Sequence, residues 1–394
     1  MSEIPVILAA ARTPIGKFGG SFTQVPATTL GAYAIRAAVE RSGVDPAAFD
    51  EVYMGQVIQA GTGMAPARQA AMAAGIPPFV GAVTVNKVCG SGMRAVMTAA
   101  TNIRAGEGMA YVAGGMENMN RGPYLIPQAR YGYRLGPAEL LDATVYDGLR
   151  DPFSGEHVAM AAEWLAETFE VSRLDQDVFA LESHRRAAAA TDEGLFRDEI
   201  IPITVADRRQ NPIVAADENI RRDTSLEKLA ALPPVFKRDG TITAGNAPSI
   251  TDGAAALVIT AASFAQAHGL QPLARIVAYT HYAVEPLRLF TAPPLAVRKL
   301  LDRAGWRLEE VDLFEINEAF AAQMVHNIRE LGLAETRVNV QGGAIALGHP
   351  LGASGARILV TLLYNLRRRG LTRGVAALCL GGGEAVAMAI EVLP

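Results

Sequence analysis

An internal repeat restricts the fold of this 394-residue chain more than any other feature. Ala34 to Gly43 reads AIRAAVERSG and Ala296 to Gly305 reads AVRKLLDRAG, and each precedes an acidic linker and an apolar run, EVYMGQV and VDLFEIN. Leu30, Ala34, Ala37 and Ala38, and later Val297, Leu300 and Leu301, recur at helical spacing, while Gly43 and Gly305 stand where a helix C-terminal glycine belongs. Strand-helix-strand units are predicted in both halves. NKVCGSGMRAVMTAATNIRAGEGMAYVAGGMEN then repeats as HPLGASGARILVTLLYNLRRRGLTRGVAALCLGGGEA. In each, Ser-Gly (Ser91-Gly92, Ser354-Gly355) opens a helical stretch, and a short apolar strand runs into glycines (Gly114-Gly115, Gly381-Gly382). Two equivalent α/β halves of this kind pack about a pseudo-twofold axis, so loops from both meet in one cleft, where chemistry is expected.

Arg121 to about Ile250 has another texture: a Gly/Pro/Tyr stretch, amphipathic helices predicted over His157 to Thr168 and Leu174 to Ala190, and polar strands. It reads as an inserted domain. The division expected is therefore 1–120 for the first half, completed by about 251–274, 121–250 for the insertion and 275–394 for the second half. Lys and Arg number 36 against 40 Asp and Glu, and no basic block tracks a phosphate backbone, which argues against nucleic acid. No run approaches the ~20 apolar residues of a membrane span and no cationic segment precedes Ile4 to Ala11, so a cytoplasmic protein is expected. Two cysteines, Cys89 and Cys379, are too few for a disulfide framework or a zinc site.

Several common signatures fail. Gly16-Lys17 is followed by Phe18, Gly61-Thr62-Gly63 meets Pro66 where a third glycine is required, no G-x-S-x-G occurs, and the six histidines lack metal spacing. Cys89, in Asn86-Lys87-Val88-Cys89-Gly90-Ser91-Gly92, lies between a β-type run and a glycine-rich helix start, whose free N–H groups favour a thiolate and lower its pKa toward neutrality. On this segment alone, a nucleophile and a small packed residue serve equally well. Cys379 precedes Gly381-Gly382-Gly383, whose N–H groups suit an oxyanion, although a core cysteine before a turn suffices. His349, in Gly348-His349-Pro350-Leu351-Gly352, sits in a rigid loop and is not a core filler. Asn317 is read as the start of a helix, either capping it or presenting a carbonyl-polarising amide.

NKVCGSGMRAV, NEAFAAQ, GGAIALGHPLGASG and CLGGGEAVAMAIE, in that order, resemble the active-site segments of the thiolase family, the acetyl-CoA acetyltransferases and 3-ketoacyl-CoA thiolases, over the full length. The resemblance implies an α/β fold with two βαβαβαββ halves, a five-layered α-β-α-β-α core and an inserted loop domain. It implies reversible Claisen condensation of two acetyl-CoA to acetoacetyl-CoA and CoA. Cys89 would be acylated, with His349 taking its proton and returning it to the leaving CoA thiol, and Cys379 would act at the α-carbon. Asn317, through a bound water, and His349 would hold the enolate oxygen, and the N–H groups of Cys89 and Gly381 the tetrahedral oxyanion. The family's CoA contacts map onto Arg221 near the nucleotide, His157, Phe236 and Ser249 along the pantetheine arm, and Leu149 and Phe320 at the pocket wall. No cofactor beyond CoA and no metal is expected. Substrates would be acetyl-CoA, acetoacetyl-CoA or other 3-ketoacyl-CoA and CoA, acting in a homodimer or homotetramer, with Tyr124, Tyr131 and Tyr133 as an aromatic contact.

Two departures bear on substrate. Gly245-Asn246-Ala247-Pro248-Ser249 stands where many members read G-N-A-S-G, and Val158 follows His157 where acetoacetyl-specific members carry methionine. A broad-range degradative 3-ketoacyl-CoA thiolase of fatty-acid β-oxidation is the alternative. A β-ketoacyl synthase would not need Cys379, and a silent CoA- or lipid-binding relative would have lost one of Cys89, Asn317, His349 and Cys379.

Overall fold

The computed structural model describes residues 3–205 and 212–394. Strands β1 (Pro5–Arg12), β2 (Glu51–Gly55), β3 (Gly81–Val85), β4 (Ala110–Asn118) and β5 (Thr251–Ala261) come from the first half. Strands β6 (Ala274–Ala283), β7 (Leu313–Ile316), β8 (Arg373–Leu380) and β9 (Glu384–Val392) come from the second. They lie in the order β3-β2-β4-β5-β1-β6-β9-β8-β7. Parallel pairs (β2 with β3 and β4, β7 with β8) occupy the flanks, and antiparallel pairs lead to the centre, where Val6 and Ile7 of β1 meet Arg275 and Ala274 of β6. The repeat is thus mirrored in the sheet. Among the described residues it is incomplete at one edge: only a Phe314–Val338 bridge marks the place of a counterpart to β3. Strands β4, β5 and β8 are almost wholly buried apolar runs, as strands covered on both faces must be.

The principal helices are α1 (Ala27–Ser42), α2 (Pro66–Ala74), α3 (Ser91–Ala105), α4 (Ala159–Thr168), α5 (Arg173–Asp192), α6 (Ala292–Ala304), α7 (Ala321–Leu331) and α8 (Leu351–Arg369). Leu30, Ala34 and Ile35 of α1 and Ala70 of α2 pack on Val6, Leu8 and Val112 on one outer face. Val297, Leu300 and Met324 of α6 and α7 pack on Phe314, Val375 and Ala387 on the other. Between the two sheet halves, Met93, Val96 and Met97 of α3 and Ile358, Leu359 and Leu362 of α8 share one core with Leu257 and Leu378. Five layers result. The central helices approach until their backbones touch: a Cβ on Gly92 would stand 2.8 Å from the nitrogen of Ala356, and one on Gly355 2.5 Å from that of Met93. Glycine at both positions is therefore a packing requirement.

Between β4 and β5 the chain leaves the sheet after Asn118 and re-enters at Thr251. Helix α5 exceeds its predicted span at both ends, starting on a Ser172–Asp175 capping box, while α4 begins two residues after His157 and leaves that ring in a loop. Arg12 of β1 ties the excursion to the sheet through buried ion pairs with Glu199 and Asp217, both 2.8 Å.

Candidate active site

Cys89 lies in the turn between β3 and α3. The turn is so tight that Val88, a β-branched residue, adopts φ 46°, a conformation costing on the order of 1–3 kcal/mol. Local side chains hold it. The Val88 N–H donates to Asn86 Oδ1 (3.0 Å), and Ser91 Oγ donates to the Val88 carbonyl (2.6 Å) while accepting the Lys87 N–H (2.8 Å). Cys89 is thereby brought against the second half, with its own N–H and that of Gly381 facing the sulfur. The expected near-neutral thiol is not what results: burial pushes Cys89 up to about 12, and the two N–H groups offset only part of that. Attack from this sulfur requires a base to take its proton as the bond forms.

His349 supplies one. It is buried in the loop before α8, and its Nδ1 lies 2.6 Å from Ser354 Oγ, which also bonds the Pro350 carbonyl at 2.9 Å. A hydroxyl has a single proton, and a carbonyl can only accept one. Ser354 therefore donates to Pro350 and accepts from Nδ1–H, leaving the Nε2 lone pair free. Burial, with the Arg357 charge added, pushes His349 down to about 3, so the imidazole rests neutral. Asn317 does not start the helix after β7: α7 begins at Ala321 with Phe320 as its cap residue. Its own N–H continues the ladder to Ala377 (3.0 Å), which holds the buried amide near His349, Nδ2 to Nδ1 being 3.5 Å. Asn317 Oδ1 has no protein partner among the described residues.

Cys379 sits on β8 opposite Ala385, buried, with Gly382 and Gly383 turning at φ 88° and 87° just beyond. Its thiol is pushed up by burial and by nearby Cys89. Cys89, His349, Cys379 and Gly381 line one cavity of about 200 Å³, whose remaining wall is almost entirely apolar. Leu149, His157, Phe236, Ser249 and Phe320 line it too, with Val158 and Leu289. His157 and Phe236 stack at 4.4 Å, and Phe290 meets Phe320 edge-on at 5.3 Å. Pro248 and Ser249 both face the cavity, so the altered G-N-A-P-S segment is part of its wall. Arg221 stands apart, in a surface depression with His184, Arg185 and Arg222, where its side chain donates to the Ala244 carbonyl (3.2 Å).

Met119, Ile250 and Leu351 also line the cavity, and sequence reasoning missed them because each is an ordinary apolar residue just outside a strand or at a helix start. Ser354 carried a signal, the repeated Ser-Gly, but its bond to His349 did not follow from the repeat alone. Among the described residues no helix is long and apolar enough to cross a membrane.

Residues 5–263 match the thiolase N-terminal domain and residues 270–392 the thiolase C-terminal domain. An acetyl-CoA acetyltransferase of Pseudomonas aeruginosa is 50% identical over 386 residues, 98% of each chain. A probable acetyl-CoA acyltransferase of Staphylococcus aureus is 48% identical over 388 residues, again 98% of each. The crystal structure of the Bacillus anthracis acetyl-CoA acetyltransferase superimposes with a TM-score of 0.98 at 45% identity, covering all of this chain and 99% of that one. With both domain matches, identity near one half over the full length and a common fold, the chain belongs to the thiolase family.

Proposed function

We propose that this protein is an acetyl-CoA C-acetyltransferase that interconverts two acetyl-CoA with acetoacetyl-CoA and CoA by a ping-pong mechanism through acetyl-Cys89. The observation that carries the reading is that Cys89 from one half and His349 and Cys379 from the other line one small apolar cavity. In thiolysis, Cys89 attacks the 3-keto carbonyl while His349 Nε2 takes the thiol proton. The N–H groups of Cys89 and Gly381 hold the oxyanion, and the C2–C3 bond breaks to the enolate of acetyl-CoA. His349 and Asn317, the latter through water, hold that enolate oxygen. Cys379, kept protonated by burial, gives its proton to the α-carbon. Protonated His349 restores the Cys379 proton across the cavity they share; CoA then enters, its thiol proton passes to His349, and its sulfur attacks acetyl-Cys89. Cys89 leaves and recovers its proton from His349, which closes the cycle with every group restored. Condensation is the same path reversed.

The stacked His157 and Phe236, with Ser249, suit the pantetheine arm; we assign Leu149 and Phe320 to the acyl end and Arg221, in its separate surface depression, to the nucleotide. We infer no cofactor beyond CoA, a cytoplasmic location, and a homodimer or homotetramer whose contacts include the exposed Tyr124, Tyr131 and Tyr133. Thiolysis of acetoacetyl-CoA with CoA is the deciding assay. Turnover with an acetylated Cys89 peptide is expected; CoA binding without turnover would overturn the reading in favour of a silent binder, and decarboxylation of a malonyl thioester in favour of a β-ketoacyl synthase.

A further inference from the structure

At the start of each central helix a residue stands two positions before the serine, Cys89 before Ser91 and Gly352 before Ser354. Each leans on the opposite half. Cys89 meets the N–H of Gly381 at the end of β8, while the N–H of Gly352 donates to Glu117 Oε2 near the end of β4 (2.9 Å). Glu117 is fully buried and does more than accept that bond. Its Oε2 also takes the Val57 N–H (2.9 Å) and its Oε1 the Ile58 N–H (3.2 Å), so three backbone donors from two segments converge on one carboxylate. No cation pairs with it among the described residues; burial pushes it up to about 7, with Asp252 adding to the rise.

The fit around Gly352 is close. A Cβ there would stand 2.8 Å from the Gln56 Cα and the Met116 carbonyl and 2.9 Å from Glu117 Oε2, and a Cβ on Gly115 would overlap the Gly352 carbonyl. Gly352 follows His349, Pro350 and Leu351 directly, so whatever fixes Gly352 fixes the base.

We propose that Glu117 is a positioning residue: by pinning Gly352 to the half that carries Cys89, it sets the approach of His349 to the Cys89 sulfur. It touches no substrate. Its place in catalysis rests on the thiolase reading above, whereas its effect on Cys89 does not. Glu117→Gln keeps shape but turns one acceptor into an N–H₂ that opposes a backbone donor. Because misplacing a reacting group by about 1 Å can cost about a hundredfold, the loss expected lies between about ten- and a hundredfold.

The test is the rate of Cys89 alkylation by iodoacetamide, followed by peptide mass, in the full chain, Glu117→Gln, His349→Ala and the double variant. Alkylation needs the Cys89 proton removed but needs no CoA. Glu117→Gln should slow it, and should slow it no further once His349 is gone, because the carboxylate aids alkylation only through that imidazole; its own charge holds the Cys89 thiol up, so its removal alone favours the reaction. Gly352→Ala, which displaces the same helix start, should slow it similarly. Equal slowing by Glu117→Gln with and without His349, or an unchanged rate in a folded Glu117→Gln protein, overturns the proposal. In acetoacetyl-CoA thiolysis, kcat should fall while KM for CoA stays within about twofold, since His157, Phe236, Ser249 and Arg221 stand on other segments. A wild-type chain that shows no thiolysis, yet in which Glu117→Gln slows alkylation only while His349 is present, would sink the thiolase reading and leave the positioning role standing.

Discussion

The two halves share a chain plan but divide the chemistry. Their register is fixed by matching aspartates: Asp50 accepts the N–H groups of Met109 and Ala110 (2.7 and 2.9 Å), and Asp312 those of Thr372 and Arg373 (2.9 and 2.8 Å). Counting along β4 and β8 from that anchor sets Met116 against Cys379. Met116 is spent on packing beneath α1, whereas Cys379 faces the cavity. Conversely, the first half carries a thiol two residues before its helix serine and the second half carries glycine there. Even the serines diverge, Ser91 bracing the strained Val88 turn and Ser354 holding His349. Duplication supplied two equivalent loop sets facing one axis; occupying equivalent places with different residue types turned that symmetry into a nucleophile on one side and proton-handling groups on the other.

The sharpest way to break this division is to remove the nucleophile. Cys89→Ser should lower thiolysis by about four orders of magnitude or more, because a hydroxyl is a far weaker nucleophile near neutral pH. Turnover within tenfold of wild type would show that the first half does not hold the nucleophile. Cys379→Ser probes the other side. Acetylation of Cys89 by acetyl-CoA should persist in the intact mass, while exchange of the acetyl methyl protons and condensation fall by at least about a hundredfold. Loss of the acyl adduct in a folded protein would place Cys379 in the first half-reaction and erase the distinction drawn between the thiols.

A smaller effect distinguishes the serines. Ser354→Ala removes the acceptor that fixes the His349 tautomer, and kcat should drop about ten- to a hundredfold with little change in KM. Ser91→Ala relaxes the Val88 turn and should cost stability as well as rate, by about 1 kcal/mol for the lost hydrogen bond. If thermal unfolding and kinetics move together in both variants, the two serines do one job rather than two.

Much of this was legible in the chain because Cys89, His349 and Cys379 each sit in a contiguous glycine-rich segment, and the halves were legible because helical period and terminal glycines repeat. What escaped depends on distant strands. The thiol of Cys89 looked like a helix-end thiolate, but the β8 turn and the cavity wall bury it, and the cost of desolvation outweighs the two N–H groups. Asn317 looked like a helix start because a capping residue and a strand-end residue have the same local sequence; its N–H is taken by Ala377 of β8, which extends the strand past it. Nothing in its local sequence singles out Glu117, and only the approach of the segment after β2 and of the start of α8 gives its carboxylate three donors.

The cavity wall is also shared, which makes chain length a test of which half governs specificity. Leu149 and Val158 come from the excursion that follows β4, Leu289 and Phe320 from the second half. Phe320 is braced edge-on by Phe290 and cannot swing aside without losing that packing, so the second half sets a fixed end. Val158 is short where a methionine would reach into the cavity, and each methylene that can be buried there contributes about 0.8 kcal/mol, about fourfold in kcat/KM. Acetoacetyl-CoA should therefore be a good substrate, 3-ketohexanoyl-CoA should retain measurable activity, and longer chains should decline as Phe320 closes the pocket. Val158→Met should lower the six-carbon value about fourfold to tenfold and leave the four-carbon value nearly unchanged. The measurement is kcat/KM for thiolysis across even-chain 3-ketoacyl-CoA substrates in both proteins. A wild-type maximum at eight carbons or more would reject acetyl transfer in favour of a broad-range degradative thiolase. If Val158→Met leaves the profile unchanged while Leu289→Ala shifts it toward longer chains, the second half governs specificity as well as proton transfer.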